Sequence, residues 1–267
     1  MAGLIACTLM GGTALAQDKK APAKPKLDPN NAVWALTLGG AYLDKPLTLH
    51  LATSGGKVVR AFGLGEFNKA VHDVDGSALA IAAASLKGPA KVTINADQWF
   101  PADGKPIECR FDLDIAVKDG KIGGAYKGKR GNDEVSGMAL GTIQPPLTEI
   151  RSATIKMELD KALEGNVNQQ RVYMTVNVTG GKVGEVKVAP KDRFHWQARV
   201  KDSKLAVTPE AVTGEVAIEV NQARSVTDGT YTFTLDGKVI GSKVAGKFTS
   251  KLGDKPARGP AAFNGSF

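Results

Sequence analysis

The sequence predicts an all-β chain of two tandem antiparallel domains, related by internal duplication, each a β-sandwich or else a small barrel. Three observations predict it: the second half restates the first, apolar and polar residues alternate with a period of two, and glycine-rich turns punctuate the alternation. The restatement is carried by four blocks in the same order. LTLHLATSGGKVVRA (47–61) matches VYMTVNVTGGKVGEV (172–186) at an offset of 125, and GSALAIAAASLKGPAKVTIN (76–95) matches DSKLAVTPEAVTGEVAIEVN (202–221) at 126. FDLDIAV (111–117) falls against YTFTLDG (231–237), and KIGGAYKGKRG (121–131) against KVAGKFTSKLG (243–253). Ordered blocks with nearly constant offsets mark two copies of one structural unit.

From the start of the chain, residues 3–16 are uncharged and small or apolar and end in Ala14-Leu15-Ala16, the small-x-small pattern of a secretory cleavage site. Residues 1–16 are therefore expected to be a signal peptide. Leu4-Ile5-Ala6-Cys7 offers the alternative of a lipoprotein signal with a lipid anchor at Cys7. The segment is too short to span a bilayer, so the mature chain is expected to lack a transmembrane span. Residues 17–31 hold four lysines and three prolines and almost nothing to bury, which predicts a flexible tether. The two β domains are expected at 32–146 and 147–267, joined at Pro145-Pro146.

Within the first domain Val92 and Ile94 alternate with Lys91, Thr93 and Asn95, and Leu113, Ile115 and Val117 alternate with Asp112 and Asp114. Residues 66–72 could form a short peripheral helix. The alanine-rich run 78–84 also has helix propensity, but Pro209 stands against Ala83 in the other copy, so it is read as a strand running into a loop. In the second domain Val172, Met174, Val176 and Val178 alternate with Tyr173, Thr175 and Asn177, and Tyr231, Phe233 and Leu235 with Thr232 and Thr234. One apolar and one polar face is the pattern of an antiparallel sheet packed on one side. Gly55-Gly56 and Gly180-Gly181 supply the positive φ of tight hairpins. Gly124, Gly131 and Gly137 match Gly246, Gly253 and Gly259 at an offset of 122, which points to a backbone constraint in both copies.

The duplication also sorts the residues that could carry chemistry, because an inherited site should recur in both copies. No histidine does: His50 falls opposite Thr175 and His72 opposite Ala198. His72, Asp73 and Asp75 lack the further ligands of a zinc or calcium site. Cys109 is the one cysteine beyond the leader and sits among core-facing residues, so no disulfide is expected. Neither a metal nor a cofactor is expected, and the nucleophile-elbow, P-loop, dinucleotide and haem signatures are missing from the sequence. Two carboxylates from distant strands would still suffice for a polysaccharide-active enzyme.

One loop of the first copy joins Asp97, Trp99, Phe100 and Asp103, where the second copy has no adjacent aromatics. Aromatics flanked by carboxylates are what a sugar-binding or partner-docking patch uses, and also what a capped sheet edge looks like. His195 and Trp196 form a similar cluster in the second copy. The formal charge is +8. Lys121 and Lys129 recur as Lys243 and Lys251, and with Lys247 they predict a basic rim able to attract anionic glycans, lipid headgroups or acidic proteins. Nucleic acid is not an expected partner, since basic stacking motifs are missing. The expectation is an exported binding or structural protein of the periplasm, cell surface or medium, non-enzymatic, with an envelope glycan or protein as partner. A secreted polysaccharide-active enzyme using carboxylates at the domain junction and an envelope protein that self-assembles through sheet edges are the alternatives.

Overall fold

The computed structural model describes residues 27–42, 45–65, 70–82, 84–95, 105–165, 170–190, 196–221 and 226–267. The first copy contains β1 (Val33–Tyr42), β2 (Lys45–Ser54), β3 (Lys57–Gly65), β4 (Val71–Asp75), β5 (Ala80–Ala82), β6 (Ser85–Ile94), β7 (Ile107–Lys118), β8 (Lys121–Arg130) and β9 (Asp133–Gln144). The second contains β10 (Ser152–Leu159), β11 (Val172–Thr179), β12 (Lys182–Pro190), β13 (Gln197–Ser203), β14 (Ala206–Val207), β15 (Ala211–Asn221), β16 (Gly229–Ile240), β17 (Lys243–Leu252) and β18 (Lys255–Ser266). No helix occurs among the described residues, so none there is long and apolar enough to cross a membrane.

Of the two forms left open by the sequence, the structure adopts the barrel. In the first copy the strands run β4-β3-β2-β1-β9-β8-β7-β6, and β4 pairs with β6 to close the ring, Asp73 to Asp75 against Thr93 to Lys91. The short β5 is a flap on β6. The second copy repeats the order as β12-β11-β10-β18-β17-β16-β15-β13, with β14 the flap on β15. Every pairing of the first barrel has its counterpart in the second except that of β3 with β4. Among the described residues β12 and β13 form no ladder, so the second barrel is open at that one place.

Eight strands enclose an interior just wide enough for side chains to fill, and the alternation read from the sequence supplies them. Trp34, Leu36, Leu38, Leu49, Phe111 and Leu113 are buried inside the first barrel, and Ile155, Met157, Val176, Phe233, Leu235 and Phe248 inside the second. The Tyr126 hydroxyl donates 2.7 Å to the Gly39 carbonyl. Cys109 is buried in the first core, where loss of solvation pushes its thiol up to about 11.

Matched glycines mark where strands approach closely. A Cβ at Gly124 would run into the carbonyl oxygen of Asp114, and one at Gly246 into that of Asp236, at the same offset of 122. Gly131 and Gly253 both turn hairpins at φ 58°. The third predicted match does not hold. Two register shifts in the β17–β18 pairing leave Gly259 in open space, whereas Gly137 sits against Gly39 and Tyr126. Beyond those shifts the equivalent of Gly141 is Gly265: a Cβ on the former would meet the carbonyl oxygen of Ala35, and on the latter that of Lys156.

Residues 28–31, the end of the expected tether, are docked against the first barrel. The Thr53 hydroxyl donates 2.9 Å to the Pro29 carbonyl and accepts from the Ala32 N–H, and the Gly55 N–H donates to the Asn31 side-chain oxygen. Residues 1–26, including the expected leader and Cys7, lie outside the described residues.

Candidate ligand site at the seam between the barrels

The two barrels meet through unlike faces. The β16–β17 hairpin of the second barrel lies across β1 to β4 of the first. A small third core fills the contact: Val33, Ala52, Phe62 and Val71 from the first barrel, Ile240 and Ala245 from the second. Gly241, at the hairpin tip, abuts Val33 and Gln144. The Lys238 ammonium donates 3.3 Å to the Ala61 carbonyl, Lys247 reaches Asp73 at 3.2 Å, and Arg60 reaches Glu210 at 3.0 Å. Each residue of the apolar set stands on an outward strand face, where a lone barrel would expose it. Three of them have polar equivalents in the other copy: Phe62 corresponds to Lys187, Ala52 to Asn177 and Val33 to Thr154. The seam is thus a specific contact of this chain and not a feature of either copy.

His50 is buried in this seam, its ring 5.1 Å from that of Phe62. Burial first, and the Lys243 ammonium second, lower its basicity to about 4. The imidazole is therefore neutral at ordinary pH.

This docking divides the expected basic rim. Lys243 and Lys247 stand on β17 at the seam, and Lys247 is engaged by Asp73. Lys251 lies further along the same strand, exposed, in register with Thr232 and Pro256. Lys121 and Lys129 stand on β8, four strands round the ring from β3 and so on the opposite wall of the first barrel. On that wall Lys129 lines a groove of about 600 Å³ with Arg110, Asp112, Lys127, Glu134 and Ser136. Cations and carboxylates alternate there, and Arg110 lies 3.7 Å from Asp112. It is a largely self-compensating surface.

Asp97, Trp99, Phe100, Asp103 and His195 lie outside the described residues. Trp196 is described, and it is buried in the second core instead of standing at a surface. His72 is fully buried, its Nδ1 accepting from the Asn95 N–H at 3.3 Å, while Asp73 and Asp75 point outward. No group of three or more potential metal ligands occurs among the described residues.

A different constellation forms where the outer wall of the second barrel meets the end of β3. A groove of about 420 Å³ is floored by β10, β18 and β17 and walled by Leu64 and Gly65. That volume is in the range of small-ligand sites. Strand register lays its floor out in two rows. In the first, Thr175, Lys156, Ser266 and Lys243 stand side by side on β11, β10, β18 and β17; in the second, Tyr173, Glu158, Asn264 and Ala245. Lys156 and Lys243 thus flank the Ser266 hydroxyl across two strand spacings, roughly 10 Å between Cα atoms. Neither lysine forms an ion pair with a carboxylate among the described residues. Glu158 is nearly buried and sits 3.3 Å from Arg171, which also holds Asp160 at 3.0 Å.

The constellation belongs to one copy. The first barrel has Ala35 in place of Lys156, Thr37 in place of Glu158, Thr48 in place of Tyr173 and Leu140 in place of Asn264. Of its members the sequence reading had singled out Lys243 alone. Lys156 against Ala35 was the signal available, but it lies upstream of the matched blocks. Comparison with protein-family models, curated proteins and solved structures finds no match to this chain.

Proposed function

We propose that this chain is an exported, non-enzymatic binding protein of the cell envelope or its surroundings that recognises an anionic ligand at the seam between its barrels. The observation that carries the reading is the pair Lys156 and Lys243, two ammonium groups without carboxylate partners among the described residues, set on either side of Ser266 in a groove. Two cations on either side of one hydroxyl favour a bound anion through charge-assisted hydrogen bonds. The net charge of +8 raises the local concentration of anions, and the small-x-small end of residues 3–16 supports export. For the polysaccharide-active alternative, hydrolysis by a carboxylate pair would need a second acid within roughly 5–10 Å of the first. Glu158 lines the groove; Asp160, a second acid within that range, does not line it, and Arg171 engages both.

The test is binding of the purified chain to immobilised acidic and neutral envelope polysaccharides at about 50 and about 500 mM salt. Retention on acidic polymers that collapses at the higher salt is the expected result. Retention indifferent to both polymer charge and salt overturns the proposal.

A further inference from the structure

We infer that the ligand of the seam groove is an acidic sugar unit of a polysaccharide, a uronate whose carboxylate lies between Lys156 and Lys243 over Ser266. This rests on the reading of the groove as an anion site and adds the class of anion. The groove is not uniformly basic. Its second row sets Glu158 and Asn264 beside the lysine clamp, with Tyr173 at one end and Leu64 as the facing wall. A ligand that carries negative charge along its whole length, such as a polyphosphate, would bring charge against Glu158. A ligand with one carboxylate and several hydroxyls suits both rows: the carboxylate takes the ammonium groups, while Glu158 and Asn264 meet the hydroxyls. Arg171, 3.3 Å away, holds the Glu158 carboxylate in place as an acceptor. Tyr173 is half-buried and Leu64 is partly exposed beside the seam core, so both offer apolar surface to a sugar ring face.

Strand register within the second barrel sets Lys243 in the clamp, and docking of the β16–β17 hairpin on the first barrel brings it within electrostatic reach of buried His50. The wall, Leu64 and Gly65, belongs to the first barrel and the floor to the second. With that wall the site is complete only in the two-barrel chain.

The experiment is calorimetric titration of the full chain with a linear polyuronate, the same polymer after carboxyl reduction, a sulfated glycan, and equimolar phosphatidylglycerol and phosphatidylcholine vesicles. Wild type should bind the polyuronate and lose it on carboxyl reduction. Lys156→Met and Lys243→Met should each weaken binding about tenfold, the loss of one charge-assisted hydrogen bond, and Lys156→Glu should abolish it. Lys121→Met with Lys129→Met, on the opposite wall, should change it less than twofold. Circular dichroism melting of each variant separates lost binding from lost fold; exposed Lys156 is the informative site should Lys243→Met disturb the seam. If wild type holds none of these anionic ligands at low salt, the reading of the groove as an anion site falls. If it binds one of them while the Lys156 variants bind as well as wild type, the assignment to the groove falls and anion recognition stands. Tighter clamp-dependent binding of the sulfated glycan or of the vesicles overturns the uronate.

Discussion

His50 of the first barrel is buried in the seam within electrostatic reach of Lys243 of the second, whose side chain lines the groove. Folding depresses the His50 pKa from 6.5 to about 4, so between these values the unfolded chain binds the proton and the folded chain does not. The stabilising difference is complete above the unfolded value and is lost as pH falls from about 6.5 to about 4. Its full size is about 3 kcal/mol. Wild type should lose about that much between pH 7 and pH 4 relative to His50→Gln, measured by urea unfolding. Parallel loss in both proteins would remove His50 as the cause.

The seam core should make the barrels unfold together. Phe62→Ala removes its largest side chain and is expected to cost about 3 kcal/mol, and with Ile240→Ala to split a single calorimetric transition into two. A single transition that merely moves down would show that the barrels are coupled elsewhere.

The ionic contacts across the same seam should matter much less. Lys247 and Asp73 are both more than half exposed, and such pairs contribute about 0–1 kcal/mol. A double-mutant cycle on Lys247→Ala and Asp73→Ala is expected to give a coupling below about 0.5 kcal/mol. A coupling of several times that would assign the docking to charge.

The alternation, the hairpins and the doubled architecture were legible because each is written locally, in successive residues. Register was not. The sequence sets 111–117 against 231–237, but the strands place Phe111 with Phe233 and Leu113 with Leu235, two residues further on. A slip of two leaves every side chain on its own face, so the apolar pattern cannot detect it. The same blindness matched Gly137 to Gly259 across two register shifts. The groove was hidden for a related reason: Lys156, Ser266 and Lys243 become neighbours only through the pairing of three strands, and nothing local marks a lysine on an outward face as part of a cluster. His50 and Phe62 were equally unmarked, since outward positions read as solvated until a second domain covers them.

Gly124 and Gly246 offer a direct test of the duplication as a physical equivalence. Each occupies the same place in its β-hairpin, with an aspartate carbonyl oxygen where a Cβ would go. The obstacle is backbone, so it cannot swing aside as a side chain could, and the strands must part instead. Gly124→Ala and Gly246→Ala should each cost about 2 kcal/mol or more, and by similar amounts. Gly259→Ala should be nearly neutral, because nothing stands within 4 Å of the added Cβ. Urea unfolding of the three variants decides it. A Gly259→Ala cost as large as the other two would mean that β18 follows the register of β9 without its bulges. The whole lower edge of the groove, where Ser266 meets Lys156 and Lys243, would then be displaced by two residues.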